Sequence, residues 1–112
     1  MVPVHILVVD ITSQNGDISF EKFQEQIAPC LAHLEALKGS FEKNPCSISY
    51  YPLDGQHSAP GQEYSVRAVV MISVGKQRAE HLVVLYQSIV RLIELELPDC
   101  DVQATINKFQ FS

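Results

Sequence analysis

The segment Val2 to Thr12 is apolar at nearly every position and rich in Val and Ile. Side chains of a strand alternate between its two faces, so a strand that is apolar on both parities needs cover on both sides and belongs at the centre of a sheet. Any fold for these 112 residues has to be built around it. A second such segment, Tyr64 to Val74, places Tyr64, Val66, Ala68, Val70, Ile72 and Val74 on one face. Its other face carries the less apolar set Ser65, Arg67, Val69, Met71 and Ser73. It too reads as a central strand.

Between them the polar turn Ser13 to Asp17 leads into a helical stripe of Phe20, Phe23, Ile27, Leu31, Leu34 and Leu37, with Asp17 or Ser19 as N-cap and Gly39 as the residue past its end. Pro29 conflicts with that stripe, since a proline inside a helix costs about 3 kcal/mol. The expectation is a kink there, or a second helix starting at Pro29. Ser47 to Leu53, with Pro52 near its end, reads as an edge strand, and the Gly- and Pro-bearing stretch Asp54 to Glu63 as a connection. Gly75 breaks the second central strand before a long helix, Gln77 to Leu97. Its apolar positions are Leu82, Leu85, Tyr86, Ile89, Val90, Leu92 and Ile93. Val102 to Phe111 then alternates as a half-exposed strand.

The element order β-α-β-β-α-β predicts one α+β domain spanning residues 1–112. It is a split βαβ arrangement, ferredoxin-like or tautomerase-like, with both helices on one face of a four-stranded sheet. With 46% apolar residues the chain can bury a core without a metal or disulfide framework. The net charge of −5 disfavours a phosphate backbone, and no apolar run approaches the ~20 residues of a membrane span. Nucleic acid and membrane are therefore not expected partners. The start Met1-Val2-Pro3 lacks the pattern of a secretory signal, and Cys30, Cys46 and Cys100 are too dispersed for a disulfide set or zinc site. The expectation is a cytoplasmic protein with three reduced thiols and no cofactor.

Catalytic motifs are missing. Gly75-Lys76 lacks the earlier Gly and the following Ser or Thr of a phosphate loop, and there is no G-x-S-x-G or H-E-x-x-H. His33 and His81 read as solvated helix residues. His5 and Arg67 are of more interest: on one broad sheet surface, an imidazole and a guanidinium would bind a carboxylate or pair across a subunit boundary.

From Val69 onward, the run VVMISVGKQRAEHLVVLYQSIVRLIELELPDCDVQATINKFQF resembles the second strand-helix-strand repeat of the tautomerase superfamily. Asp54-Gly55-Gln56-His57 and Tyr64 are similar to the same region of its carboxymethyl-hydroxymuconate isomerase branch. Over residues 54 to 111 the resemblance implies an oligomer, usually a trimer, acting on an acidic 2-keto or enol substrate. It also implies an N-terminal proline amine as general base, with arginines binding the substrate. Pro3 is the corresponding base, Arg67 the anion clamp, and His57 matches in local pattern. Here, however, Pro3 follows Met1 and Val2, so its nitrogen is an amide and accepts no proton until both are removed.

The first reading is therefore a small non-enzymatic domain that binds a small molecule or a protein partner and assembles as a homodimer or trimer. A tautomerase-like isomerase of a small acidic ligand is the alternative. Self-association is expected because Val4, Ile6 and Val8 alternate with His5, Leu7 and Val9. Whichever set meets the helices, the other stays apolar, and Val69, Met71, Phe109 and Phe111 add to the uncovered side.

Overall fold

The pleat of the first strand organises the molecule. The computed structural model describes residues 2–13, 18–52 and 64–109. In chain order these form β1 (Val4–Ser13), α1 (Phe20–Ser40), β2 (Cys46–Pro52), β3 (Ser65–Ser73), α2 (Lys76–Glu96) and β4 (Cys100–Phe109). The strands make one antiparallel sheet in the order β2-β3-β1-β4, the split βαβ, ferredoxin-like arrangement, with both apolar strands at its centre. Every pairing runs in constant register without a bulge, from Val4 against Ser73 to Thr12 against Ser65, and from Val4 against Phe109 to Ser13 against Cys100.

Alternate residues of β1 are buried: His5, Leu7, Val9, Ile11 and Ser13 point to the helices. Their neighbours Ala68, Val70 and Ile72 do the same from β3. The helices add Phe23, Ile27, Cys30, Leu34 and Leu37 from α1, and Leu82, Tyr86 and Ile93 from α2. Leu7, Val9, Ile11, Val70, Ile72, Leu82, Tyr86 and Ile93 are all 0% exposed, a dry layer between sheet and helices.

Three sequence expectations are corrected, and of the two N-cap candidates one is found in that role. α1 is one helix through Pro29, whose ring lies on the exposed side, where water can satisfy the carbonyl that loses its donor. Gly39 is helical rather than the residue past the end: α1 runs on to Ser40 because the next residue, Phe41, is 1% exposed in the core, its N–H bonded to the Lys38 carbonyl. The Arg78 guanidinium stacks 4.5 Å above that ring. Phe20 and Leu92 sit at the margins of their stripes, 40% and 39% exposed, whereas Cys30 is fully buried. Ser19 is the N-cap, its hydroxyl accepting from the Lys22 N–H.

Among the described residues two polar side chains enter the dry layer: Ser13, whose hydroxyl accepts from the Tyr64 N–H at 2.9 Å, and His5. His5 is 3% exposed and its Nδ1 has no hydrogen-bond partner among the described residues, while its backbone carbonyl accepts from the Tyr86 hydroxyl at 3.0 Å. Burial, and secondarily the Lys108 cation across the strand pair, lowers the imidazole pKa below its usual 6.5.

Two measurements check this account. Ile93→Ala should cost roughly 2–5 kcal/mol in denaturant melts. Leu85→Ala and Ile89→Ala, at partly buried positions packed on the core, should cost less, and Leu92→Ala least. The second concerns pH: with the folded pKa of His5 depressed, the unfolded chain takes up the proton first, so its contribution is complete above about pH 6.5 and shrinks as pH falls below it. Thermal midpoints should drop between pH 7.5 and 5.5, and His5→Leu should flatten that drop. Glu96, held below the usual carboxylate range chiefly by His33, adds its own loss at lower pH, so the two windows separate.

Candidate binding surface

The sheet face away from the helices is where the side chains outside the core collect. From β1 it receives Val4, Ile6, Val8, Asp10 and Thr12, and from β3 Ser65, Arg67, Val69, Met71 and Ser73. Ser47, Ser49 and Tyr51 come from β2, and Asp101, Gln103, Thr105, Asn107 and Phe109 from β4. The registers arrange them in cross-strand rows. Ser49, Val69, Val8 and Thr105 form one row, and Ser47, Met71, Ile6 and Asn107 the next; Val4 then stands between Ser73 and Phe109. The result is an apolar stripe along the centre of the sheet with hydroxyl and amide side chains on both flanks. Met71 and Phe109 are 38% and 46% exposed, and a depression of about 380 Å³ at the Pro45–Ser47 end is lined by Val4, Ile6, Met71 and Ser73.

At the other end of the stripe stands an ion pair. Arg67 and Asp10 are directly opposite in register. The guanidinium donates from Nε to Oδ1 at 2.8 Å and from Nη2 to Oδ2 at 3.1 Å, a two-point bond that raises the arginine pKa further. Tyr51 and Gln103 complete this row. Asp10 is a partner the sequence reading did not pick out, although it is the one carboxylate in an otherwise apolar strand.

The expected pairing of His5 with Arg67 does not form. The pleat sends them to opposite faces, His5 into the core and Arg67 to the open side. Pro3 is half-buried, and its carbonyl accepts from the Ser73 hydroxyl at 3.3 Å, so it lies at the Val4 end of β1. Arg67 lies at the Asp10 end, and the intervening strand, at about 3.3 Å per residue, puts roughly 20 Å between them. A pocket joining the two is therefore not formed by the described residues. His57 and Phe111 lie outside the described residues.

The helix side offers two further features. A groove of about 320 Å³ runs between α1 and the β2 edge, lined by Phe20, Phe23, Ile27, Tyr50, Tyr51 and Val66. Tyr50 is committed there: its hydroxyl donates to Glu35 Oε1 at 2.9 Å, and burial with that bond pushes its pKa up to about 12. Across the helix pair, the Glu96 carboxylate lies 3.0 Å from His33 Nε2 and accepts from the Cys30 thiol at 3.5 Å, so His33, expected as a solvated helix residue, is part-exposed and has a partner. Burial, reinforced by Glu96, pushes the Cys30 thiol to about 12, which leaves it protonated and inert as a nucleophile. No group of three or more candidate metal ligands occurs among the described residues, and no described helix is long and apolar enough to cross a membrane.

Comparison with known proteins bears on the fold alone. No family model and no curated protein matches the sequence. Among solved structures, the chain is similar to the de novo designed protein Foldit4, with a TM-score of 0.58 at 16% identity over 93% of this chain and 96% of that one. It is also similar to a putative amidohydrolase/peptidase from Burkholderia cenocepacia (TM-score 0.62, 8% identity), covering 96% of this chain but 27% of that enzyme. The VAO-type flavoprotein MtVAO713 from Myceliophthora thermophila C1 is matched at TM-score 0.61 and 14% identity, over 98% of this chain and 18% of its own. The chain thus spans about a quarter or less of these two enzymes. At such identities the likeness is one of fold alone: a four-stranded antiparallel sheet under two helices.

Proposed function

We propose that this chain is a non-catalytic binding domain that presents the sheet surface its helices leave uncovered and works as a homo-oligomer, assembled through that sheet face or the sheet edges. The observation that carries this reading is the stripe of Val4, Ile6, Val8, Val69, Met71 and Phe109, rimmed by Ser47, Ser49, Ser73, Thr105 and Asn107. An apolar centre within a polar rim is the anatomy of a protein contact surface, and burying such a stripe contributes roughly 25 cal/mol per Å². The groups that could have carried chemistry are otherwise engaged: Arg67 by Asp10, the Cys30 thiol by burial and Glu96. The isomerase alternative requires a freed Pro3 amine and an Arg67 released from its carboxylate, and these lie at opposite ends of β1. The three free cysteines support a reducing, cytoplasmic setting.

Light scattering across a hundredfold dilution series tests the proposal. The expected result is a mass of two or three chains at high concentration that falls toward 12.5 kDa on dilution. A single-chain mass at every concentration, in moderate salt, would remove self-association from the reading. The chain retaining Met1 and Val2 should also show no keto–enol tautomerase turnover, which a spectrophotometric assay with phenylenolpyruvate checks.

A further inference from the structure

The two edges of the sheet are not alike, and the difference can be traced to individual backbone groups. In an antiparallel ladder, residues direct both backbone groups alternately to one neighbour and the other. The Ser13 N–H donates to the Tyr64 carbonyl at 2.8 Å, so Ser13, Ile11, Val9, Leu7 and His5 bond toward β3. Val4, Ile6, Val8, Asp10 and Thr12 then bond toward β4, engaging Phe109, Asn107, Thr105, Gln103 and Asp101. Two other bonds agree with this phase. The Ser73 N–H goes to Pro45, on the β2 side, and the Cys100 N–H goes to the Leu97 carbonyl instead of to β1. The N–H groups of Val102, Ala104, Ile106 and Lys108 consequently point away from the sheet, along a side of β4 where no described strand lies.

An edge of this kind invites pairing unless it is blunted by proline, a bulge, short length or inward charge. β2 is blunted: it is 7 residues long, preceded by Pro45, and closed by Pro52. Of these devices β4 has only one charge near its end, Lys108, on the helix-side parity opposite His5. It is 10 residues long, contains no Pro or Gly, keeps constant register throughout, and has the uncharged core Val102-Gln103-Ala104-Thr105-Ile106-Asn107.

We infer that β4 is the self-association edge: two copies pair antiparallel through β4, Ala104 meeting Ala104 of the second copy on the two-fold axis, to make a continuous eight-stranded sheet. This rests on the homo-oligomeric reading above and specifies where the copies meet. Charge selects the direction, because parallel pairing would set Asp101 near Asp101 and Lys108 near Lys108, whereas antiparallel pairing brings Asp101 of one copy to the Asn107–Lys108 end of the other. The outward phase restricts hydrogen-bonded pairs to the even-numbered residues. With Ala104 on the axis, Val102 stands opposite Ile106 of the second copy, twice, on the helix side, and Gln103 stands opposite Thr105 on the open side. Centring on Thr105 would instead set Val102 against Lys108 and Asp101 against Phe109. Since the axis runs perpendicular to the sheet, both pairs of helices lie on one side and both apolar stripes face the same way.

Backbone amide exchange on the wild-type chain, together with light scattering of three variants, tests this. In the oligomer the Val102, Ala104 and Ile106 amides should exchange at least tenfold more slowly than on dilution, joining the Gln103 and Thr105 amides, which β1 protects at all concentrations. Ala104→Pro removes an outward N–H that the subunit itself does not use, so it should keep the fold and weaken association at least tenfold. Thr105→Pro removes an N–H bonded to β1 and should lower the melting temperature. Met71→Lys, on the open face, should leave the edge dimer intact. An oligomer that persists in Ala104→Pro, or whose Val102, Ala104 and Ile106 amides still exchange at dilute-chain rates, overturns the edge assignment while self-association stands. A wild-type chain that is monomeric throughout overturns both.

Discussion

The structure depends on the pleat of β1. A strand in which Val4, Ile6 and Val8 alternate with Leu7, Val9 and Ile11 sends apolar side chains to both faces, yet two crossover helices can cover one. Everything on the helix side follows from filling that one layer: Val70 and Ile72 beside β1, Leu34 and Leu37 from α1, Tyr86 and Ile93 from α2, all packed without solvent. What is left on the other side is the apolar stripe. The same alternation therefore produces both the core and the partly apolar open face.

Polar groups are placed by the same rule, and their fates depend on their parity along the strand. Asp10 is on the open parity of β1 and meets Arg67, also on the open parity of β3, so two charges neutralise each other in water at little desolvation cost. His5, on the buried parity, has no such outlet: burial, and then Lys108, lowers its imidazole pKa, and the Tyr86 hydroxyl ties its carbonyl to α2. Glu96 ends α2 where it can face both His33 and the Cys30 thiol on α1, fastening the helix pair at its solvent side. None of these three arrangements leaves an activated nucleophile or base.

Much of the fold was legible in local pattern, because strand and helix periodicity are properties of neighbouring residues. The six elements, the two central strands and the one-sided helix layer follow from spacing, with Ser19 one of the two caps it offered. The discrepancies arose where distant residues intervened. Burial of Phe41 carries α1 past Gly39, and Leu92 falls outside the stripe because the covered arc of α2 is narrower than its run of apolar residues. The site was less legible than the fold. Pairing His5 with Arg67 required knowing the relative parity of two strands far apart in sequence, and a one-residue shift of phase reverses that answer.

By itself, then, the sequence determined that two apolar strands sit at the centre of an α+β sheet, that both helices share a face, and that the opposite face remains partly apolar. Those are consequences of composition and period along the chain. Tertiary structure decided which parity of β1 is buried, that Asp10 rather than a ligand engages Arg67, that Pro3 and Arg67 lie at opposite ends, and that the outward amides of β4 belong to its even-numbered residues. Register and hydrogen-bond phase couple residues from separate segments, and no local spacing rule contains that coupling.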